Sequence, residues 1–411
     1  MTGTLANRYL VGGVNSPVRA FRNVGAVPLM LAGSSGSTVI DVRGRLYTDF
    51  IMGWGALILG HQPTAVVQAL RRGIARGILM GLTHPAEVEL ARLIVESVPS
   101  VEQVRFTVSG TEACLTAIKM ARASTKRTKI LAFKGGYHGH SESLIASASA
   151  GIPKTLARDT ISVAYNDLEA VERVIRQSGH QFAAVIVEPV AANMGVVPPQ
   201  TGFLKRLRTL TAAHGIVLVF DEVVTGFRLG LSGAQGMFNI HPDLTTFGKI
   251  IGGGLPIGAV GGPRRIMQQL APEGPVYHGG TFAGHPLSMA AGVATLNALR
   301  AHPPYARLDA RTRRLTAELS AAAHESGIAV QINQAGSMWT MFFANQSVWN
   351  ADQAQHSRQD RFTRWANGLR QRGILVPPSP LEGCFVSEAH TQAQLQRLIA
   401  ASRAVFRAGH W

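Results

Sequence analysis

The chain has 411 residues, which at roughly 150 residues per domain predicts two to three domains. Only 16% of the residues are charged and 46% are hydrophobic, a composition that excludes an intrinsically disordered protein. The 40 lysines and arginines exceed the 24 acidic residues by 16. These basic residues are scattered through helical patterns without a basic–aromatic motif, so we expect no nucleic-acid binding.

The sequence contains no apolar run near the roughly 18 residues that a membrane span needs. Its first residues, MTGTLANRYLVGG, do not place a basic stretch before an apolar one, as a signal peptide does. The two cysteines, Cys114 and Cys384, are too few for a disulfide framework or a metal cluster. We therefore expect a cytoplasmic protein without a bound metal.

Residues 1–54 predict a small β-rich segment. The stretch STVIDVRGRLYTDF is typical of a hairpin that turns at Arg43 and Gly44. We expect this segment to contribute to a smaller domain.

Residues 55–300 predict a large α/β domain. Helical patterns such as AVVQALRRGIARGI and FLKRLRTLTAAHG alternate with apolar runs such as KILAF, AAVIVEPV and IVLVFDEV. Apolar runs without polar alternation are typical of buried parallel strands. The alternation therefore predicts a large, doubly wound, mainly parallel sheet.

Residues 301–411 predict a small α+β domain. A polar helical stretch, RLDARTRRLTAELSAAAHESG, precedes the short strand candidates SMWTMFF, GILVPPS and GCFVSEAH. A final helix is predicted over Gln392 to Arg407. The N-terminal segment is expected to complete this domain.

Ligands of open α/β sheets bind at the carboxyl ends of the strands, and four motifs follow predicted strands there. In the first, VRFTVSGTEACLTAIKMARA, Ser109 and Glu112 have the spacing of a helix capping box. The same residues also place the free N–H groups of Gly110 and Thr111 at a helix N-terminus, which suits a phosphate group. Both interpretations remain open on this motif alone.

The second motif, KGGYHGH, places Tyr137 and His138 between glycines. The glycines allow a sharp turn that presents a flat ring to a ligand. By itself, the motif favours a surface turn with an incidental aromatic residue.

The third motif, IVLVFDEVVTGFR, ends a buried strand at Asp221. A buried carboxylate needs a cation or a hydrogen-bond donor. Val223, two residues further on, faces the same side of an extended chain. The alternative to ligand binding is a helix cap or a salt bridge between Asp221 and Arg228.

In the fourth motif, DLTTFGKIIGGGLPIGAVGG, Lys249 follows Gly248 and precedes an apolar, glycine-rich stretch. Apolar surroundings lower the pKa of a lysine and make its amine nucleophilic. The alternative is a surface lysine lying along its neighbours. The motif is not a P-loop, because Asp243 and Ile250 occupy positions that need Gly and Ser or Thr.

Together the four motifs predict one cofactor. A phosphate site, a flat ring for stacking, a buried acid and a nucleophilic lysine are the groups that pyridoxal 5′-phosphate requires.

On these residues the sequence resembles the class III aminotransferases, which are pyridoxal-phosphate enzymes of fold type I. Within that family it is most similar to the glutamate-1-semialdehyde 2,1-aminomutases. The resemblance extends from about Arg8 to Arg407. The motifs that carry it are GGVNSPVRAF, SGTEA, GGYHGH, IVEPVAANMGVVPP, DEVVTGFR, DLTTFGKIIGGGLPIGA, GPVYHGGTFAGHP and PSPLEGCFVSEAHT.

The resemblance implies a role for each matching residue. Lys249 would bind the cofactor covalently and then transfer protons, and Asp221 would hold the proton of the ring nitrogen. Val223 and Tyr137 would lie on the two faces of the ring. The remaining cofactor contacts implied are Ser109, Gly110, Thr111, His138, Glu188, Asn193 and Thr281, the last from the second subunit of a homodimer.

On the substrate side, the resemblance implies that Ser16 and Arg19 bind a carboxylate. The planar guanidinium group of an arginine suits a carboxylate. Trp54 and Glu382 match an aromatic and an acidic residue of the substrate pocket. The substrate is therefore expected to be a small, carboxylate-bearing amino compound.

The sequence departs from the aminomutase pattern in several places. The stretch from His140 to Tyr165 is shorter than in the aminomutases, where it forms a mobile loop over the site. His84 and Pro85 replace Thr and Glu, Val108 stands at a common Asn position, and His285 replaces another Asn. The short loop and the His84–Pro85 change suggest relatives that transaminate β- or aryl-substituted amino acids.

Our main hypothesis is therefore an aminotransferase of the glutamate-1-semialdehyde-aminomutase type. The alternative is a true aminomutase that converts glutamate 1-semialdehyde into 5-aminolevulinate. A third hypothesis, from another functional class, is a non-catalytic relative that binds a partner or nucleic acid.

Overall fold

Three β-sheets organise the part of the chain that the computed structural model describes, namely residues 2–142, 144, 150–409 and 411. The first sheet contains three strands from the N-terminal segment: β1 (Leu31–Ser35), β2 (Thr38–Asp41) and β3 (Leu46–Asp49). The predicted hairpin is present, because β2 and β3 pair antiparallel and Gly44 in their turn has a φ of 81°.

A seven-stranded sheet forms the centre of the molecule. Its strands are β4 (Gln103–Thr107), β5 (Lys129–Phe133), β6 (Thr160–Val163), β7 (Phe182–Val187), β8 (Val217–Asp221), β9 (Leu244–Gly248) and β10 (Gly258–Gly262). They lie in the order β4-β10-β9-β8-β7-β5-β6. Only β10 among them runs antiparallel to its neighbours, so β4, β5, β7, β8 and β9 end at the same edge.

The remaining strands belong to the C-terminal part of the chain: β11 (Gln331–Ala335), β12 (Met338–Phe342), β13 (Ile374–Leu375) and β14 (Cys384–Phe385). Strands β11, β12 and β14 form the third sheet. Strand β13 instead pairs parallel with β3, with Ile374 opposite Thr48. The two ends of the chain therefore share one sheet.

The helices surround these sheets. They are α1 (Thr2–Tyr9), α2 (Thr64–Ile74), α3 (Pro85–Ser97), α4 (Gly110–Thr125), α5 (Lys154–Ala157), α6 (Leu168–Ser178), α7 (Phe203–Ala213), α8 (Gly233–Phe238), α9 (Arg264–Met267), α10 (Pro286–Ala301), α11 (Tyr305–His324), α12 (Ala351–Gln355), α13 (Gln359–Gln371) and α14 (Gln392–Ala408). None of the helices in the described part of the chain is both long and apolar enough to cross a membrane.

Side chains at the helix starts explain where several helices begin. The carboxylate of Asp167 accepts the N–H of Ala170 at 2.9 Å and caps α6. At α14, Thr391 and Gln394 form a reciprocal capping box. Such caps satisfy N–H groups that have no partner within the helix.

Both faces of the central sheet are buried, which confirms the doubly wound prediction. On β8, Leu218 and Phe220 pack into one apolar cluster, whereas Val217 and Val219 pack into another. Residues of α6 and α7 cover the first face and residues of α4 the second. Because alternate residues of a strand point to opposite faces, an unbroken apolar run is what such a strand requires.

Candidate active site

A cavity of about 400 Å³ opens at the edge where β4, β5, β7, β8 and β9 end. Ala56 and the segment around Pro256 complete its wall. Most of the predicted cofactor contacts line it. They are Ser109, Gly110, Thr111, Tyr137, His138, Glu188, Asn193, Asp221, Val223 and Lys249.

Asp221, the last residue of β8, lies buried at the inner end of this cavity. Its Oδ2 atom is 2.7 Å from Nδ1 of His138 and accepts a hydrogen bond from the thiol of Cys114 at 3.4 Å. Its Oδ1 atom accepts the N–H of Val223 at 3.1 Å and the hydroxyl of Thr246 at 3.2 Å. The ion-pair partner of Asp221 is His138. The salt bridge to Arg228, which the sequence left open as an alternative, is absent.

The pairing with His138 decides the charge of Asp221. Burial acts to raise the pKa of this carboxyl, but the hydrogen bond and charge of His138 hold it below its usual value. Burial also acts to lower the pKa of His138, and Asp221 more than compensates, so that pKa is raised. The carboxylate therefore stays negative in the cavity, where it suits a cationic N–H group.

Lys249 follows the neighbouring strand β9 and is partly buried. Its φ of 48° lies in the left-handed region, which turns the chain sharply after Gly248. Burial lowers the pKa of its amine, although the negative charges of Asp221 and Glu188 oppose that change. A neutral amine is a nucleophile, so this lysine can attack an aldehyde.

Helix α4 points its N-terminus into the cavity. The Ser109 hydroxyl caps it by accepting the N–H of Glu112 at 3.3 Å. The Glu112 carboxylate accepts the N–H of Val108 at 2.9 Å instead of that of Ser109, so the predicted capping box is only half formed. The N–H groups of Gly110 and Thr111 lie in the first turn, where helices lack internal acceptors and attract anions.

Two glycines let this helix end approach its neighbours. A Cβ atom on Gly110 would lie 3.1 Å from Cγ2 of Val223. A Cβ atom on Gly258, in strand β10, would lie only 2.1 Å from the carbonyl oxygen of Ser109. The backbone at Ser109 therefore depends on the absence of a side chain at Gly258.

Glu188, just after β7, organises the turn that carries Tyr137. Its Oε1 atom accepts the N–H of Tyr137 at 2.9 Å. Its Oε2 atom accepts the N–H of Ala192 at 2.9 Å and the side-chain amide of Asn193 at 3.0 Å. Burial raises the pKa of Glu188. Through these three hydrogen bonds, Glu188 fixes the positions of its neighbours. Tyr137 remains 54% exposed and lines the cavity.

Five of the predicted site residues do not line the cavity, namely Ser16, Arg19, Trp54, Thr281 and Glu382. Glu382 lies close enough to Lys249 for their charges to interact, and burial raises the pKa of its carboxyl to about 7. Ser16 is partly buried, whereas Arg19 and Thr281 are exposed.

Two contacts of the buried acid were missed by the sequence reasoning. Cys114 lies on α4 one helical turn after Gly110, a spacing that places both on one side of the helix. Thr246 pairs directly with Asp221 across the ladder of β8 and β9. The helical spacing could have identified Cys114, but Thr246 required the strand register.

The residues present fit pyridoxal 5′-phosphate. The cavity has a helix N-terminus for a phosphate, an ionised acid for a ring nitrogen and an amine of lowered pKa for an aldehyde. The buried Nε2 atom of His138 has no hydrogen-bond partner among the described residues.

The comparisons with known proteins agree with this chemistry. The model of the class-III aminotransferase family matches residues 20–394. A glutamate-1-semialdehyde 2,1-aminomutase of Thermomicrobium roseum is 50% identical over 409 residues, which cover 97% of this chain and 95% of that protein.

Two solved structures are similar over nearly the whole chain. An omega-transaminase from Sphaerobacter thermophilus has a TM-score of 0.92 at 32% identity, and the match covers 99% of this chain and 96% of the transaminase chain. A glutamate-1-semialdehyde-aminomutase from Pseudomonas aeruginosa has a TM-score of 0.87 at 25% identity, and the match covers 98% of this chain and 93% of the aminomutase chain. The chain therefore belongs to the class III aminotransferases, and it is a pyridoxal 5′-phosphate-dependent enzyme of fold type I.

Proposed function

We propose that this enzyme is an aminomutase that converts glutamate 1-semialdehyde into 5-aminolevulinate. The observation that carries the proposal is the 50% identity, over 97% of the chain, to an enzyme of that name. Of the two enzymatic hypotheses drawn from the sequence, this similarity supports the aminomutase better than a generic aminotransferase. Both move an amino group on a small molecule by the same chemistry.

The bound cofactor supplies an electron-withdrawing ring and an aldehyde that accepts an amino group. The residues of the cavity would hold and assist it. Lys249 would bind the aldehyde carbon and afterwards move a proton with its amine. Asp221 would keep the ring nitrogen protonated, and Tyr137 and Val223 would enclose the ring.

The other cavity residues would orient the cofactor. The N–H groups of Gly110 and Thr111, with the hydroxyl of Ser109, would bind the phosphate. Asn193 would lie beside the 3′-oxygen, Glu188 would fix Asn193, and His138 would keep Asp221 ionised. The observed hydrogen bonds from Asn193 to Glu188 and between His138 and Asp221 support this division of tasks.

The substrate would extend beyond the cavity, because the residues that the resemblance assigns to it do not line that cavity. We propose that Ser16 and Arg19 bind its carboxylate, that Trp54 contacts its chain and that Glu382 lies near its amino groups. The electrostatic interaction of Glu382 with Lys249 supports the last assignment.

A second candidate is an intermolecular aminotransferase, which was our main hypothesis from the sequence. The structure superposes better on the omega-transaminase, at a TM-score of 0.92, than on the aminomutase, at 0.87. The shortened stretch from His140 to Tyr165 points the same way, since an aminomutase must retain its intermediate. Residues 143 and 145–149 of that stretch lie outside the described residues.

We also propose a homodimer in which Thr281 reaches the phosphate of the partner's cofactor. Apolar side chains near it are exposed in the single chain, with Phe282 at 54% and Tyr277 at 75%. Leu82 is 82% exposed. Apolar surface of this extent is typical of an interface.

For the domains, we propose the division 1–54, 55–300 and 301–411. The central sheet lies wholly within the middle segment, and the pairing of β3 with β13 joins the outer two. We further propose a cytoplasmic location, which the two free, buried cysteines support.

The proposed reaction predicts that glutamate 1-semialdehyde alone suffices as substrate. Purified holoenzyme given this compound, without a second amino donor, should form 5-aminolevulinate over many turnovers. The product is measured over time, and enzyme lacking the Lys249 amine serves as the blank. Formation of at most one equivalent per site, with turnover only after an amino acid is added, would establish the second candidate instead.

The proposed role of Lys249 predicts that Lys249→Ala loses both turnover and the yellow absorbance of the covalently bound cofactor. Only a side-chain amine can bond to the aldehyde there. Lys205→Ala, which removes an exposed lysine on α7, is the matched control and should keep both. An active, yellow Lys249→Ala protein would refute the assignment.

The proposed phosphate site predicts that Gly258→Ala weakens cofactor binding by about tenfold or more, because the new methyl group displaces the backbone at Ser109. Titration of the apoprotein with pyridoxal phosphate measures the change. Gly230→Ala is the control, since its Cβ would meet no described atom closer than 4.0 Å. Unchanged affinity in folded Gly258→Ala protein would contradict the site.

The raised pKa of Glu382 predicts a pH-dependent loss of stability. A carboxyl whose pKa is about 7 when folded, against 4.5 when free, stabilises the fold below pH 4.5 and loses that contribution as the pH rises through 7. From pH 5 to 8, the wild-type protein should therefore lose about 1–3 kcal/mol relative to Glu382→Gln. Urea unfolding at both pH values measures this.

Glu169→Gln, at an exposed position of α6, is the control for that experiment and should follow the wild-type protein. If the free energy of unfolding changes equally in Glu382→Gln and wild-type protein between pH 5 and 8, the pKa of Glu382 is not raised.

A further inference from the structure

The loop that leads into Ala56, a residue of the cavity wall, has an unusual backbone. Met52, Gly53, Trp54 and Gly55 have φ values of 48°, 61°, 57° and 88°, so four consecutive residues are left-handed. Residues with side chains rarely adopt this conformation, and it persists only where surrounding contacts impose it. The next residue, Ala56, lines the cavity.

Two charged groups hold this loop from its two ends. At its start, the Asp49 carboxylate accepts the N–H groups of Ile51 and Met52 at 2.8 and 3.2 Å. At its end, Nη2 of Arg228 donates to the carbonyl oxygen of Gly55 at 2.7 Å. The contact with Arg228 is the one nearer to the cavity wall.

Arg228 is itself held firmly. Its Nη1 atom donates to the hydroxyl of Ser337 at 3.0 Å, and its guanidinium group lies 5.0 Å from the ring centre of Phe385. The same ring leaves no space at Gly55, where a Cβ atom would lie 2.8 Å from it. Arg228, Phe385 and Gly55 thus form one packed unit behind the cavity wall.

The charge of Arg228 is not explained by an ion pair. The side chain is 1% exposed, and no carboxylate of the described residues bonds to it. Its Nε atom has no partner there either. A buried cation without an anion costs stability, so a requirement for stability does not account for it.

We propose that Arg228 is a positioning residue of the active site, which fixes the strained Met52–Gly55 loop through the Gly55 carbonyl and so places Ala56 and Trp54 beside the substrate. The part concerning Trp54 rests on the proposed function. Arg228 does not line the cavity, so it acts on the substrate only through this loop.

The test uses Arg228→Lys holoenzyme. Lysine keeps the positive charge but has no planar pair of donors with which to bridge Gly55 and Ser337. We expect amide hydrogen exchange in residues 51–57 to rise at least tenfold. We also expect KM for the amino substrate to rise about tenfold with a smaller change in kcat, and cofactor content to stay the same.

Arg127→Lys is the matched control. The Arg127 guanidinium also donates to backbone carbonyls, those of Gly179, Phe182, His214 and Gly215, but at the opposite edge of the central sheet. This variant should lower the melting temperature without changing exchange in residues 51–57 or KM.

Ser337→Ala provides a second variant in case Arg228→Lys does not fold. It retains Arg228 and removes one of its hydrogen bonds, so a smaller rise of exchange in the same segment is expected. The proposal would be overturned if a folded Arg228→Lys or Ser337→Ala protein showed the same exchange in residues 51–57 and the same KM as the wild-type protein. The exchange measurement needs no substrate, so it distinguishes this outcome from a failure of the proposed function.

Discussion

The active site depends on one buried carboxylate being kept ionised. Asp221 is 4% exposed, and burial alone would favour its neutral form. His138 prevents this from a distance of 2.7 Å, and two hydroxyl or thiol groups and one backbone N–H complete its hydrogen bonds. These partners come from β8, β9, α4 and the turn after β5, so the charge of one residue requires most of the central sheet to be in place.

The sheet topology explains why the sequence reveals so much of this site. Six of the seven strands described in the central sheet end at the same edge, and a polar or glycine-rich motif follows β4, β5, β7, β8 and β9 there. Strand types and motif positions can be read locally, because an unbroken apolar run that ends at an acid, as β8 does at Asp221, is unusual. Once the strands are parallel neighbours, these residues must converge.

The contacts that the sequence did not reveal depend on register and on long-range packing. Thr246 bonds to Asp221 only because β8 and β9 pair in that register. The bond from Arg228 to Gly55 spans 173 positions in the chain, and the sequence instead suggested a pairing of Arg228 with Asp221. Local patterns carry no information about either contact.

Three acids influence Lys249, and their surroundings shift their pKa values differently. Hydrogen bonding and the charge of His138 hold Asp221 ionised against burial. Burial raises the pKa of Glu188, whose oxygens accept three hydrogen bonds from the turns around Tyr137 and Asn193. Glu382, with a pKa of about 7, can change its charge near neutrality.

The different pKa shifts of Asp221 and Glu382 suit different tasks. In the proposed function, the negative charge of Asp221 would keep the ring nitrogen protonated. In the proposed function, Glu382 would take up or release a proton as the amino groups of the substrate gain or lose theirs. Burial is the main cause of the lowered pKa of Lys249, the charge of Arg228 adds to this lowering, and the three acids oppose it.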